Sequence, residues 1–346
     1  MRPGPSEELL AQGGVIGVRV SIMLGSRVLA TDVPVKDVTV EVTGDRAVPE
    51  LLTYTAPRDW IPVNAHDPLN CFGQRSHVTV IQQIDGQPYE TKIGWFTHGS
   101  RETRSWEEAA DGVKVKAFGL LQVAADNDFA HPSSPPHGAT LRSEFSRLAG
   151  LPVMLDGLTD RPVPRTLQWG TSRLDGLADL SESYGLDYAV KPDGYVHVWP
   201  IRDGHAPVSR YQATLLDAPR SGVPRRANIF VGVGSGEGDK RWTHTVRATE
   251  PPYSPENYGL ITERIELSSA SSDQAVMAAV QERVRALNIT TRARSVEIVP
   301  DWRLELGDII QAVTPGGEHI TGRVKAFSAT VRAGETMRVD VEELLW

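Results

Sequence analysis

Apolar and polar residues alternate along most of this chain, the period of two expected of strands with one buried face. Val18, Val20, Ile22 and Leu24 alternate with Arg19, Ser21 and Met23, and Val38, Val40 and Val42 alternate with Thr39 and Glu41. Residues 77–96, HVTVIQQIDGQPYETKIGWF, predict a hairpin turning at Asp85-Gly86, a pair suited to the positive φ angles of a twisted two-residue turn. A further strand is predicted over 113–121. Short strands joined by hairpins point to a small barrel or sandwich over 15–123.

The period changes after the proline-rich stretch HPSSPPHG, residues 131–138. Thr140 is placed to cap a helix carrying Leu141, Phe145 and Leu148 on one face, and Gly150 to stop it. A second helix is predicted from Ser172, through Leu174, Leu177 and Leu180, to a stop at Gly185. LDYAVKPDGYVHVW, residues 186–199, then reads as a hairpin turning at Asp193-Gly194. Two helices and a hairpin make an α+β unit over about 124–205. In the remainder, Asp273 is expected to cap a helix with Ala275, Val276, Ala279, Val280, Val284 and Leu287 on its apolar stripe and Glu282, Arg283 and Arg285 outside. Strands are predicted around it at 260–267 and 296–299. More follow over 306–344, broken at Pro315-Gly316-Gly317 and Ala333-Gly334.

Composition narrows the class. The 346 residues hold 36 basic and 44 acidic side chains, a formal net charge of −8. Nucleic-acid affinity rests on cations that neutralise phosphates, so this balance argues against a dedicated DNA or RNA binder. The basic run RVRALNITTRAR, residues 283–294, reads as a solvated helix face. No stretch approaches the roughly 18–20 apolar residues of a membrane span, and none is expected to act as an anchor. The opening MRPGPSEELLAQGG lacks the apolar core of a secretion signal. A single cysteine, Cys71, excludes an internal disulfide and a cysteine-built zinc site. Synthesis and folding in a bacterial cytoplasm are expected.

The segment most suggestive of chemistry is VGVGSGEGDKRW, residues 231–242. A dinucleotide site needs glycines in G-x-G-x-x-G spacing on a turn from strand to helix. Here Gly232, Gly234, Gly236 and Gly238 fall at every second position, and strand-like KRWTHTVRA follows. Such spacing strips one strand face of side chains, which suits a bend or a close approach of backbone. His131 and His137 stand six apart among prolines, outside metal-ligand spacing. Asp126 and Asp128 have no further acidic ligands at calcium-loop spacing and read as helix-entry or turn residues. No serine sits in a G-x-S-x-G elbow. Cys71, in PLNCFGQ, reads as a small buried thiol. The expectation is no catalytic residue, no metal and no cofactor.

The order of the parts resembles the tail-hub, or baseplate-hub, proteins of tailed bacteriophages, especially those of long-tailed phages of actinobacteria. The likeness is carried by PLNCFGQRSHVTVIQQIDG with YETKIGWF and VKVKAFGLLQ, then SRLDGLADLSESYGLDYAVKPDGYVHVWP. ANIFVGVGSGEG, YSPENYGLITERIELSS and LELGDIIQAV complete it. The chain departs from the family pattern at Gly119-Leu120-Leu121. It also ends at Trp346, where many hubs continue into a fibre or hydrolase domain, so those roles are expected of other proteins. The resemblance implies a mainly β, α+β fold with two small tube-type β-barrels and two decorating α+β domains. Residues 1–123 would hold the first barrel, and 206–240 with 301–346 the second. Residues 124–205 and 241–300 would be the decorating domains, with the glycine stretch where the chain leaves the second barrel. It further implies a homotrimer forming a pseudo-sixfold ring at the virion's tail tip. Its partners would be the tail tube or distal tail protein, tip and fibre proteins, a tape measure protein in the lumen, and DNA in transit. Acidic side chains expected in the channel wall are Asp37, Glu41, Asp45, Asp308, Asp340 and Glu342, giving a net acidic or neutral lumen. Two other readings are a carbohydrate- or receptor-binding tail protein using Trp95, Trp106, Trp169, Trp199 and Trp242, and a β-rich hydrolase. The tryptophans read as core or interface residues, and the hydrolase lacks its constellation.

Overall fold

The computed structural model describes residues 1–103, 112–201, 206–219, 227–235, 241–247, 259–267, 272–288 and 291–344. Trp106, Gly236 and Gly238 lie outside them. After a one-turn helix α1 (Glu7–Leu10) come β1 (Val15–Leu24), β2 (Arg27–Ala30), β3 (Lys36–Thr43), β4 (Glu50–Ala56), β5 (Gln74–Ile84), β6 (Gln87–Thr103) and β7 (Val113–Gly119). Next are α2 (Gln122–Ala125), α3 (Leu141–Ala149), β8 (Val153–Leu155), α4 (Arg173–Tyr184), β9 (Leu186–Val190) and β10 (Val196–Pro200). The rest comprises β11 (Ser209–Tyr211), β12 (Leu215–Asp217), β13 (Ile229–Ser235), β14 (Arg241–Arg247), β15 (Thr262–Leu267) and α5 (Asp273–Asn288). It closes with β16 (Thr291–Ile298), β17 (Ile309–Val313), β18 (His319–Thr330) and β19 (Met337–Leu344).

Local signals act as expected. Asp85 and Gly86 take φ of 49° and 77°, and Ile84 faces Gln87 across the β5–β6 turn. Thr140 caps α3 by accepting from the Ser143 amide, and Gly150, at φ 66°, ends it. Ser172 caps α4 and Gly185, at φ 62°, closes it. At α5 the cap is Ser272, whose hydroxyl accepts from the Ala275 amide, one residue before the expected Asp273. Asp273 lies in the first turn instead, where its charge favours the helix dipole.

Strand pairing joins the early and late parts of the chain. One 13-stranded sheet runs β12-β16-β19-β18-β3-β4-β7-β6-β5-β1-β2, with β17 on β18 and β11 on β17. Thus β3 pairs antiparallel with β18, Val42 facing Phe327 and Val40 facing Ala329. One apolar core serves both strand sets, holding Val20, Val40, Tyr54, Val78 and Val115 with Tyr211, Ile298, Trp302, Val324 and Val339. A second core gathers Leu141, Phe145, Leu148, Leu177, Leu180, Val196 and Val198 around Leu120 and Leu121 at the end of β7. By contact, the chain forms two compact units, Met1–Pro219 with Ser295–Val341, and Arg220–Arg294 with Glu342–Trp346. The α3–α4 part therefore shares a unit with the large sheet.

The glycine stretch belongs to the second unit. β13 pairs with β14 and β15 in a separate three-stranded sheet. β11 and β12, by contrast, join the large sheet. Gly232 and Gly234 fall on the buried face of β13. A Cβ on Gly232 would stand 2.3 Å from Val280 Cγ2 and 3.0 Å from Val276 Cγ1, both on α5. The bare strand face lets the helix sit close, and Phe230, Val276 and Val280 form the small core beside it. Gly232→Ala is accordingly expected to cost about 1–3 kcal/mol by overpacking. Val280→Ala in the same chain should recover part of it. Denaturant unfolding of both variants measures this, and equal stability of Gly232→Ala and the parent would refute the close packing.

Candidate assembly site

The outward face of the large sheet is polar and built in cross-strand rows. Directly opposed residues share a face, so register gives each row. Thr330 on β18, Thr39 on β3, Thr53 on β4, Lys116 on β7 and Ser100 on β6 stand side by side. The neighbouring row is Ser328, Glu41, Leu51, Phe118 and Thr97. Alternating residues of the same strands, Val40, Val42, Leu52, Tyr54 and Val115, point into the core. Thr39 and Thr330 hydroxyls hydrogen bond at 3.1 Å across the β3–β18 junction. Lys116 lies over the Phe118 ring, its Nζ 5.3 Å from the centroid. Short hydroxyls predominate in these two rows, with one acid and one base, while Phe118 packs against the second core and Thr97 Oγ1 is buried.

The acids expected in a channel wall lie on β3 and β19, at the β3–β4 turn and just before β17. Glu41 lies in the second row, its Oε2 2.7 Å from the Arg46 Nη2. Asp37 is exposed at φ 54°, beside the register shift of β3. Asp45 is exposed at the β3–β4 turn, its amide bonded to Thr43 Oγ1. Asp340 pairs with Arg338 at 3.0 Å and accepts from the Ser295 hydroxyl. Glu342 is half-buried on β19. Asp308 is largely buried and accepts from the Glu305 amide at 3.0 Å. Burial pushes its carboxyl up, with the Glu305 charge adding to the effect.

A cavity of about 450 Å³ separates the α4–β9 region from β3, β4 and β18, lined by Leu174, Tyr188, Trp199, Glu50, Arg323 and Lys325 among others. Lys191 crosses beside it to Glu305 at 2.7 Å. Burial raises the Glu305 carboxyl, but Arg2 and Lys191 bring it below its ordinary value. Nearby, His197 Nδ1 meets Asp156 at 2.8 Å and its Nε2 meets Asp193 at 2.9 Å. Burial opposes the imidazolium, yet the two carboxylates raise its pKa overall.

The strongest polar constellations are buried, and sequence reasoning missed them. Asp301, fully buried, accepts from Tyr211 OH at 2.8 Å and from Arg303 Nε and Nη2 at 2.9 and 2.7 Å. Glu144, also fully buried, accepts from Trp169 Nε1 at 2.6 Å and from Arg147 at 2.7 and 2.9 Å. Glu7 Oε1 accepts from the amides of Gln212, Ala213 and Thr214, fixing α1 beside β11. His98 sits inside the sheet, its Nδ1 donating to the Asn70 carbonyl at 2.9 Å and its Nε2 2.7 Å from Ser76 Oγ. Cys71 is half-buried rather than buried. His131 and His137 are both exposed in their loop, and Asp126 ends α2. Among the described residues no His, Cys, Asp and Glu group has metal-ligand geometry, and no helix is long and apolar enough to cross a membrane.

No protein-family model matches the sequence, and no curated protein does. Solved structures do match. The tail protein from Neisseria meningitidis MC58 superposes with a TM-score of 0.63 at 12% identity, over 94% of this chain and 97% of that one. The 43 kDa tail protein of prophage MuSo2 from Shewanella oneidensis gives 0.60 at 12% identity, over 93% and 98%. The Francisella PdpA–VgrG complex gives 0.54 at 11% identity, over 95% of this chain and 58% of that one. The fold is similar to that of these tail proteins. At these identities the likeness is one of fold.

Proposed function

We propose that this chain is a structural tail-tip hub of a tailed bacteriophage. Three copies close a pseudo-sixfold ring that links the tail tube or distal tail protein to the tip fibre and passes DNA. The observation that carries this reading is the end-to-end superposition on two tail proteins, which leaves almost nothing of either partner unmatched. In this reading the polar rows of β18, β3, β4, β7 and β6 line the channel, where hydroxyls and a balance of Glu41 with Lys116 hold no phosphate. The tape measure protein occupies that lumen before release. The four-part division at residues 123, 205, 240 and 300 belongs to the same reading. It includes no catalysis, so alanine at Cys71, His131 or His137 is expected to leave assembly intact.

A sugar-binding role has less support. Trp169 is buried, and Trp60, Trp95, Trp199 and Trp242 are half-buried, so each is engaged in packing. Cryo-electron microscopy of the assembled particle tests the proposal. The chain is expected on the tail axis as a trimer, with a channel wall net acidic or neutral. A position off the axis, or a wall with a clear excess of arginine and lysine, would refute it.

A further inference from the structure

The small sheet β8-β10-β9 buries Val153, Val196, Val198 and Leu186 against α3 and α4 and turns its other face outward. On that outer face His197 stands directly between Met154 of β8 and Ala189 of β9. Its Nδ1 lies 2.8 Å from Asp156 Oδ2, and its Nε2 lies 2.9 Å from Asp193 Oδ2. Asp156 follows β8, and its amide donates to the Val198 carbonyl at 2.8 Å, which fixes it beside β10. Asp193 belongs to the turn between β9 and β10. That turn reaches the large sheet: a Cβ on Gly194 would stand 3.6 Å from Trp95 Cδ1 and 3.9 Å from Leu120 Cδ1.

A carboxylate only accepts hydrogen bonds, and a neutral imidazole donates from one nitrogen and accepts at the other. The imidazolium alone can serve both Asp156 and Asp193. Once its proton leaves, a ring lone pair and a carboxylate oxygen face each other within 3 Å, and one contact must open. Asp193 is the freer of the two, being exposed and carried by the turn. Met154 and Ala189, opposite the ring on either side, bring no charge. Asp187 and Lys191 share the outer face, with Asp187 opposite Trp199 and Lys191 turned to Glu305 at 2.7 Å. Burial opposes the charge on His197, and the bonds to Asp193 and Asp156 outweigh it, so the folded ring holds its proton to a higher pH than a free imidazole.

We propose that the β9–β10 turn is a pH-released latch. His197, while protonated, fastens Asp193 and so holds the turn against Trp95; loss of the ring proton lets the turn go. This inference is independent of the tail role.

The test follows the full chain by NMR between about pH 5.5 and 8.5, the range in which histidines change charge. The Gly194 amide donates to the Lys191 carbonyl, and the Gly150 amide closes α3 on the Ser146 carbonyl. Taking the ratio of their hydrogen-exchange rates cancels the base-catalysed rise common to both. That ratio is expected to increase at least fivefold across the His197 titration, and the Trp95 indole signal to shift with the same midpoint. His77 stacks on Trp95 with ring centres 4.4 Å apart, but burial, and then the Lys92 charge, lower its pKa, so its effect falls below pH 6.5. Asp193→Asn should hold the turn at both ends of the range, because an amide can bond either form of the ring, and the step should vanish. His197→Gln has no proton to lose and should also remove the step, which keeps the test valid if the first variant misfolds. A flat ratio through the parent's His197 titration would overturn the proposal. So would a step of unchanged size in either variant, or a Trp95 shift that follows His77 alone.

Discussion

Asp301→Ala is expected to lower the unfolding free energy by about 3–5 kcal/mol, the range for stranding a buried charge by removing its partner. Four donor groups converge on this carboxylate, the Arg303 amide among them, and the residue is fully buried in the strand core. Removal takes from the Tyr211 hydroxyl its carboxylate acceptor and from the half-buried Arg303 guanidinium its counter-charge. Burial lowers the Arg303 pKa, and the Asp301 bond more than restores it, so the pair is coupled. Asp301→Asn keeps one acceptor oxygen and should lose clearly less. Urea unfolding gives both numbers. A loss under about 1 kcal/mol for the alanine variant would show that water replaces the carboxylate and that the cluster is not sealed.

The second large effect is an acid sensitivity set by His98. Burial holds its pKa down at about 4, against 6.5 for a free imidazole, although the Asn70 carbonyl pulls the other way. The neutral ring is fully satisfied, because Nδ1–H donates to Asn70 and Nε2 accepts from Ser76, which Tyr54 joins at 3.0 Å. Between pH 6.5 and 4 the unfolded chain binds a proton that the folded chain refuses, so stability rises with pH across that window. The contribution is complete above pH 6.5 and falls by about 3 kcal/mol as pH drops to 4, at about 1.4 kcal/mol per pH unit. His197 acts oppositely: its raised pKa gives stability that is complete below pH 6.5 and is lost as pH rises through the folded value. Comparing the parent with His98→Gln over pH 4–7 isolates the first effect. A constant stability difference across that range would contradict it.

Elements governed by neighbours in sequence were legible. The Asp85-Gly86 turn and the caps at Thr140 and Ser172 depend on a few adjacent residues, and each forms as the pattern predicts. Sheet order was not legible, since Val40 meets Ala329 through a pairing that no local signal encodes. The β13 glycines show the boundary well. Their period revealed a bare strand face, but not that α5 would fill it. Buried charges were missed for a related reason. Glu144 sits three residues after Leu141 and four before Leu148, squarely on the apolar stripe of α3, which was the available sign that its charge is enclosed. Asp301 carried no such sign, because Tyr211, which joins it and Arg303 in the core, lies 90 positions away on β11.

The β3–β18 junction also governs when this protein becomes a protein. Thr39 and Thr330 are separated by 291 positions, and every strand from β4 to β17 is translated between them. On the ribosome, β3 emerges well before β18 and waits, its apolar face and one edge open, until nearly 300 further residues have been made. At about 5–20 residues per second that wait lasts roughly 15–60 seconds. Closure of the sheet is thus a late event in the life of each chain, and the interval before it is when nascent copies are most exposed to mispairing with one another.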